Sequence, residues 1–220
     1  MIGANLDKIR KELPKHVVLV AVSKTKPLED IQEAFDAGQR IFGENKVQEM
    51  AAKWEVLPKE IEWHFIGHLQ RNKVKYLAPF VSLIHGVESL RLLKEINKQA
   101  LKSNRIIDVL LQFYIADEET KFGLSEEEAN DLLSSEEFKL LKNIQVRGVM
   151  GMATFTKDQE KIKDEFHKLK KIQNSLKVNH FSNNDLFNVV SMGMSGDYLT
   201  AIDEGSTMIR IGSSIFGARN

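Results

Sequence analysis

Eight short apolar segments alternate with amphipathic stretches along this chain, and no other feature of the sequence limits the possible folds so strongly. Unbroken alternation of strands and helices is typical of parallel βαβ units. Eight units over 220 residues average about 27 residues each (220/8), which suits a barrel of eight such units. We therefore predict an α/β fold: one (β/α)8 TIM-type barrel over residues 1–220, with an extra N-terminal helix at 3–13. The predicted strands are 16–24, 40–45, 61–69, 81–87, 105–115, 144–154, 187–195 and 208–217.

Signals at the ends of the intervening segments predict where the helices lie. Pro27 precedes LEDIQEAFDAG, which has carboxylates in its first turn and Gly38 at its end, as is usual for helix starts and stops. A doubly wound open sheet is the structural alternative. It usually has fewer strands, and the first turn here lacks the glycine-rich dinucleotide motif. The predicted helices cover 28–38, 46–57, 70–79, 88–103, 125–141, 158–176 and 197–205.

The charge balance and the missing cysteines exclude several classes of function. Lys+Arg and Asp+Glu both number 31, so the chain has no excess positive charge to attract nucleic acid or an anionic membrane. Without cysteine there is no disulfide, zinc–thiolate site or cysteine nucleophile. The charged segment 1–15 is unlike a signal peptide, and no apolar run approaches the ~18 residues of a membrane span. These features predict a cytoplasmic protein.

Two glycine-containing loops predict a phosphate site. In a barrel of this kind the functional groups lie at the carboxyl ends of the strands. SMGMSGD (191–197) stands at the end of the seventh strand and IGSS (211–214) at the end of the eighth. Glycines let the backbone approach an anion closely, and helix N-terminal N–H groups can bind it. Either loop alone is equally well explained as a turn, but together at these two positions they predict a phosphorylated ligand.

Lys24 follows an unbroken apolar run, Val17–Val22, at the mouth of the predicted barrel. Burial lowers the pKa of a lysine and leaves a neutral amine that can form a Schiff base with a carbonyl. Lys26 has the same side-chain parity. Because Pro27 disfavours helix in the residue before it, we expect Lys26 in a loop, more exposed, as a supporting positive charge. Lys24 is then the last residue of the strand and the candidate nucleophile.

Two further residues are candidates for contact with the ligand. Arg210 lies within the apolar eighth strand, where a guanidinium needs an anion or another acceptor. It pairs either with a neighbour such as Glu44 or with a ring nitrogen of the ligand. An arginine at that nitrogen would weaken a pyridine ring as an electron sink. Asn45, at the end of the second strand, either hydrogen-bonds the ligand or caps the next helix.

The histidines do not form a pattern typical of a metal site. His64 and His68 are four residues apart, but on a strand and its exit loop, with no carboxylate at a familiar spacing. We therefore predict no metal ion. His64 and His85 are expected to pack in the core or form the pocket wall, and His167, on a charged helix, to lie on the surface.

Seven segments match one known family in order: AVSKTKP, FGENKVQE, WHFIGHLQRNK, HGVES, RGVMGM, SMGMSGDY and IRIGSSIFG. They resemble the pyridoxal phosphate homeostasis (PLP-binding) protein family, which is similar to the barrel domain of alanine racemase. The resemblance implies one barrel that carries pyridoxal 5'-phosphate (PLP) as an internal aldimine on Lys24. It also implies that Arg210 faces the pyridine nitrogen and that Asn45 lines the pocket. The residues implied to hold the phosphate are Ser191, Gly193, Gly212 and Ser213. The segment QFYIADEETKFG is looser than the family pattern, so Lys121 receives no role.

The resemblance leaves a carrier and an enzyme to be distinguished. As a carrier, the protein would buffer PLP for vitamin B6 and amino-acid homeostasis, with apo PLP-enzymes as possible recipients. As a racemase, it would need a second acid or base on the opposite face of the cofactor. We can assign that task to none of the tyrosines, Tyr76, Tyr114 and Tyr198, and we expect no second domain. We therefore predict a monomeric carrier without clear catalysis. A Schiff-base aldolase that uses Lys24 without a cofactor is a third interpretation.

Overall fold

Eight parallel strands form a closed barrel in the order in which they occur along the chain. The computed structural model of the protein describes residues 1–116 and 122–217. The barrel closes where Val18 pairs with Met208 and Val20 pairs with Arg210. The predicted (β/α)8 fold is thus confirmed. The strands are β1 Val18–Val22, β2 Ile41–Glu44, β3 Glu62–Phe65, β4 Leu83–Val87, β5 Ile107–Gln112, β6 Ile144–Met150, β7 Val189–Ser191 and β8 Met208–Ile211.

Helices follow the strands around the outside of the barrel. The predicted helix 125–141 is divided in two at Ser135, whose backbone is extended and whose hydroxyl accepts from the amide of Phe138 to cap the second piece. No helix in 1–116 or 122–217 is long and apolar enough to cross a membrane. The helices are α1 Ile2–Glu12, α2 Leu28–Asp36, α3 Val47–Val56, α4 Val74–Leu77 after a 3₁₀ turn at Arg71–Lys73, α5 Leu90–Lys102, α6 Glu126–Ser134, α7 Glu136–Lys139, α8 Gln159–His180, α9 Tyr198–Asp203 and α10 Ser213–Phe216.

Most strands end earlier than the apolar pattern predicts. β1 ends at Val22, so the prediction that Lys24 is the last strand residue is wrong, and Lys24 lies in the turn that follows. The eighth predicted strand ends at Ile211, and its continuation is the short helix α10. Hydrophobic patterning indicates which residues are buried, and residues in loops that fold over the end of a barrel are buried as well. The pattern therefore extends beyond the end of a strand. Met192, for example, is fully buried just beyond β7.

The barrel interior changes from apolar to polar along its axis. A small cluster made only of strand residues fills one part: Val20, Leu83, Leu110, Met150 and Met208. The carboxyl-terminal parts of the strands instead contribute buried polar side chains: His64, His85, Gln112, Ser191 and Arg210. Buried polar groups are unfavourable unless they are hydrogen-bonded. Their concentration at this end therefore marks it as the functional end of the barrel.

Candidate functional site

A cavity of about 770 Å³ opens at the carboxyl ends of the strands. Residues at or after all eight strands contribute to its wall, as expected for this fold. One side is basic and polar and the other is largely apolar. The polar side is formed by Lys24, Lys26, Asn45, Ser195, Gly196, Asp197, Arg210, Gly212, Ser213 and Ser214.

The turn Ser23–Thr25 places Lys24 at the cavity wall, where its side chain is half-buried. The turn is fixed on both sides of the lysine. The Ser23 hydroxyl donates to Oε1 of Glu44 over 2.5 Å, and the Thr25 amide donates to Oε1 of Glu49 over 2.6 Å. Thr25 has a φ of 64°, which is rare for a β-branched residue. Lys24 is therefore presented by a tight turn and not by a strand.

Lys26 also lines the cavity but has a distinct set of partners. Its Nζ donates to the carbonyl of Phe216 over 3.0 Å and to that of Gly217 over 3.3 Å. Both lysines are half-buried, so exposure does not separate them as we predicted. Instead, Lys26 ties the turn after β1 to the end of α10.

Arg210 projects from β8 to the cavity and is 5% exposed. Its Nη1 donates to Oγ of Ser191 over 2.6 Å and its Nη2 donates to the carbonyl of Gly151 over 3.2 Å. Burial lowers the pKa of Arg210 to about 10, with the charge of Asp197 acting in the opposite direction. The guanidinium is thus protonated at neutral pH. The alternative of an ion pair with Glu44 is wrong, because Glu44 pairs with Lys53 at 2.8 Å.

Ser191 lies below the cavity at the end of β7 and connects Arg210 to two histidines. Its Oγ is 3.0 Å from Nδ1 of His85, and Nε2 of His85 is 3.1 Å from Nδ1 of His64. Burial lowers the pKa of His64 to about 3. Burial, then the charges of His64 and Arg210, hold the pKa of His85 well below its ordinary value. Both imidazoles are neutral at pH 7 and belong to a buried hydrogen-bonded chain.

The cavity-lining residues of the β7 loop lie within the predicted segment 191–197, but they are not the two residues implied to hold the phosphate. Ser191 and Gly193 are buried and do not line the cavity, whereas Met194, Ser195, Gly196 and Asp197 do. Gly193 has a φ of 98°, and a Cβ there would lie 2.7 Å from Cβ of Ala201. A larger residue at position 193 would collide with α9, which explains why this position is a glycine. The sequence feature that could have identified the lining residues is the pair of small residues Ser195 and Gly196, shortly before α9.

The β7 and β8 loops meet at the cavity, as the phosphate-site prediction requires. Gly212, Ser213 and Ser214 line the wall, and the amide of Gly212 donates to Oγ of Ser195 over 3.3 Å. The two serines of the β8 loop are exposed. Hydroxyls and backbone amides gathered in this way can bind an anion.

Asn45 follows β2 and lines the same cavity. Its Oδ1 is buried and has no hydrogen-bond partner among the described residues. The backbone packs tightly behind it: a Cβ on Gly67 would lie 2.5 Å from the Asn45 carbonyl oxygen. A buried acceptor without a donor costs about 1–3 kcal/mol, so this atom is poised for a ligand that supplies one.

The opposite wall was not predicted from the sequence. Exposed Phe122 and Phe155 lie at this wall together with Met152, and Nδ1 of His68 is 3.2 Å from Oε1 of Glu88. His68 is exposed, and the described residues contain no group of three or more His, Cys, Asp or Glu side chains that could hold a metal. Lys121 lies outside the described residues. Phe155 is 99% exposed.

A model of one protein family, described as the N-terminal domain of alanine racemase, matches residues 1–220. The "Pyridoxal phosphate homeostasis protein" of Aquifex aeolicus is 41% identical over 203 residues, which are 91% of this chain and 86% of that protein.

Solved structures show the same relationship. PipY of Synechococcus elongatus covers 99% of this chain with 100% of its own. Its form without PLP has a TM-score of 0.91 at 33% identity. Its form described as having PLP bound has a TM-score of 0.88 at 32% identity. Alanine racemase of Clostridium difficile is 14% identical and shares the fold, with a TM-score of 0.77 over 99% of this chain and 56% of that enzyme.

Proposed function

This chain belongs to the pyridoxal phosphate homeostasis protein family, and on that premise we propose that it binds PLP covalently through Lys24 and acts as a carrier that buffers the cofactor. One observation carries the proposal. A single cavity brings together the Lys24 turn, the Arg210 guanidinium and the paired loops after β7 and β8. An amine, a cation and an anion site are the three groups that a pyridine aldehyde bearing a phosphate requires.

The residues present suit this cofactor. When bound, PLP supplies an electrophilic aldehyde and an electron-withdrawing ring. In our proposal, Ser195, Ser213 and the amide of Gly212 hold the phosphate. The unpartnered Oδ1 of Asn45 accepts from a polar group on the ring or from an ordered water. These assignments keep Gly212, Ser213 and Asn45 from the sequence-based set and add Ser195.

Ser191 and Gly193 take indirect roles in this proposal. Ser191 orients Arg210, to which it is bonded at 2.6 Å. Gly193 allows the loop to turn into α9, and its carbonyl accepts from the Arg210 amide over 3.0 Å. Arg210 itself faces the ring nitrogen. A protonated guanidinium there keeps that nitrogen without a proton, which weakens the ring as an electron sink.

The alternative function is amino-acid racemisation, and one observation favours it. His68 is the imidazole on the cavity wall, and the Glu88 carboxylate at 3.2 Å orients it. A base on the opposite side of the ring from Lys24 is what a two-base racemase needs.

Cytoplasmic location, a monomeric state and delivery to apo PLP-enzymes stay predictions.

Reconstitution with PLP tests the proposal. The loaded protein should show the visible absorption of a protonated imine. Borohydride reduction followed by peptide mass spectrometry should place the label on Lys24. Lys24→Ala should remove both signals and Lys26→Ala should retain them. A protein that takes up no PLP would contradict both cofactor functions and leave the cofactor-free aldolase.

Turnover separates the carrier from the racemase. The loaded protein is incubated with L-alanine or D-alanine, and the enantiomer ratio is followed by chiral chromatography. We expect no change beyond that given by free PLP. Racemisation that disappears in His68→Gln would replace the carrier proposal with the enzymatic one.

A further inference from the structure

A charged cluster of two buried residues and one partly buried residue lies directly behind the Lys24 turn and outside the cavity wall. It consists of Glu44 at the end of β2 and of Glu49 and Lys53, one turn apart on α3. Nζ of Lys53 lies 2.8 Å from Oε1 of Glu44 and 2.7 Å from Oε1 of Glu49. Glu44 is fully buried and Lys53 is 6% exposed. Together they form the charged cluster Glu44–Glu49–Lys53.

The charged cluster bonds to both neighbours of Lys24 in the chain. Nζ of Lys53 donates its third hydrogen bond to the Ser23 carbonyl over 2.8 Å, which uses all three donors of the ammonium. Oε1 of Glu44 accepts from the Ser23 hydroxyl and Oε1 of Glu49 accepts from the Thr25 amide. The peptide units that flank Lys24 are therefore held by side chains from two other elements.

The backbone of this turn needs such support. Thr25 has a φ of 64°, a left-handed conformation in which a β-branched side chain is unfavourable and which glycine adopts readily. Such strain persists where surrounding structure over-determines it, and it is concentrated at functional sites. The Glu49 carboxylate provides that constraint through the Thr25 amide.

Buried charges are a poor way to stabilise a fold by themselves. Desolvation opposes their attraction, and apolar side chains of similar volume often serve equally well. Burial raises the pKa of Glu44, although Lys53 and Ser23 act against it. Burial would raise the pKa of Glu49 too, but hydrogen bonds from Lys53 and the Thr25 amide outweigh it and lower that pKa. Three charges beneath one short turn indicate a requirement for a particular geometry.

We propose that Glu49 and Lys53 are positioning residues, which hold the Ser23–Thr25 turn so that the Lys24 amine is presented to the cavity. The inference deepens the proposed function, because it rests on Lys24 as the point of cofactor attachment. It concerns how fast and how tightly PLP attaches to Lys24. Neither residue lines the cavity.

The test compares three variants on α3. Glu49→Ala removes the acceptor of the Thr25 amide. Lys53 retains its hydrogen bonds to Glu44 and to the Ser23 carbonyl in this variant, so the protein should still fold. Glu49→Gln keeps an oxygen acceptor. Glu55→Ala removes an exposed carboxylate of the same helix and is the matched control. The rate of PLP attachment should fall about tenfold in Glu49→Ala, as expected for the loss of one charged hydrogen bond, recover largely in Glu49→Gln and stay unchanged in Glu55→Ala.

A second measurement does not use the cofactor. The apo-protein is treated with limiting acetic anhydride, and the ratio of Lys24 to Lys26 acetylation is read by mass spectrometry. Glu49→Ala should change this ratio by about tenfold as well, since the same charged hydrogen bond is lost. An unchanged ratio together with unchanged attachment would overturn the proposal. If wild-type protein takes up no PLP, the proposed function fails, and the acetylation ratio still decides the positioning role.

Thr25→Gly in the Glu49→Ala background separates positioning from stability. Glycine relieves the left-handed strain but leaves the turn loose. We expect the unfolding midpoint to recover while attachment remains slow. If attachment recovers together with stability, the charged cluster is only structural and the positioning role is refuted.

Discussion

Arg210 shows how a single side chain depends on residues from several strands. Its guanidinium bonds to Ser191 on β7 and to the Gly151 carbonyl after β6. Ser191 in turn contacts His85 on β4. Because an arginine only donates, Ser191 Oγ must accept from it, and the serine proton is then available to Nδ1 of His85. Two neutral imidazoles therefore complete the hydrogen bonding of Ser191, the residue that orients Arg210.

The neutral histidines predict a loss of stability in acid. An unfolded imidazole binds a proton near pH 6.5, whereas the folded pKa of His64 is about 3 and that of His85 is also lowered. Between these values the unfolded state carries more protons, so the free energy of unfolding falls as the pH is lowered, by up to about 1.4 kcal/mol per pH unit for each imidazole. Arg210 is the charged group that contacts this chain, through Ser191.

Urea unfolding from pH 7 to pH 5 measures this dependence. The carboxylates of the protein also titrate near this range, so the informative quantity is the difference between wild-type and His64→Gln. The variant should show a slope shallower by about one proton. Equal slopes in the two proteins would mean that His64 is not a neutral buried group.

Gly193→Ala tests the assignment of that glycine to packing. Its φ of 98°, and the 2.7 Å that would separate an added Cβ from Cβ of Ala201, predict destabilisation of about 1–3 kcal/mol. Gly196 has no atom within 4 Å of such a Cβ and no left-handed φ, so Gly196→Ala is the matched control for stability. Chemical denaturation checks both, and equal stabilities would contradict the packing role.

At the scale of elements, the loops after β7 and β8 act as one unit. The Gly212 amide donates to Ser195 Oγ over 3.3 Å, and Nζ of Lys26 joins the end of α10 to the turn after β1. A ligand bound between these loops would therefore also be linked, through Lys26, to the turn after β1. The loops are positioned by strand pairing, since Ser191 pairs with Met208.

Ser195→Ala should weaken phosphate binding without preventing covalent attachment. The hydroxyl supplies one hydrogen bond, so affinity for PLP should fall about tenfold. Pyridoxal, which lacks the phosphate, should bind both proteins equally. Equilibrium titration followed by absorbance measures both ligands, and an equal loss for pyridoxal would show that Ser195 acts elsewhere than on the phosphate.

At the scale of the whole molecule, the cavity draws on every strand of the barrel, so cofactor binding and global stability are linked. A ligand that binds only the folded state stabilises it by RT ln(1 + [L]/Kd), about 2.7 kcal/mol at one hundred times Kd. Added PLP should therefore raise the unfolding midpoint of the wild type. Lys24→Ala should lose most of that rise, since it loses the covalent bond. Calorimetry with and without PLP measures the difference, and an equal rise in both proteins would contradict attachment at Lys24.

Parts of the site could be predicted from the sequence because they depend on local pattern. Lys24, Asn45, Gly212 and Ser213 belong to motifs at predicted strand ends, Arg210 lies within the predicted eighth strand, and all five line one cavity. The roles of Ser191 and Gly193 could not be predicted in the same way. Ser191 ends β7 and Gly193 lies in the loop that follows. A difference of two to four residues along the chain separates these buried positions from Ser195 at the cavity wall. That difference depends on where β7 stops pairing.

The eight alternating apolar segments determined the (β/α)8 barrel, because strand and helix periodicity are properties of neighbouring residues and the chain order of parallel units then gives the closure. Only the tertiary structure shows which residues lie behind the Lys24 turn: Glu44, Glu49 and Lys53. The sequence suggested Glu44 only as a partner for Arg210, and it gave no signal that assigns a role to Glu49, Lys53 or Thr25. Pairing of β1 with β2 places β2 and α3 against the turn after β1, and the low polarity there forces these charges to pair with one another and with the backbone that carries the lysine.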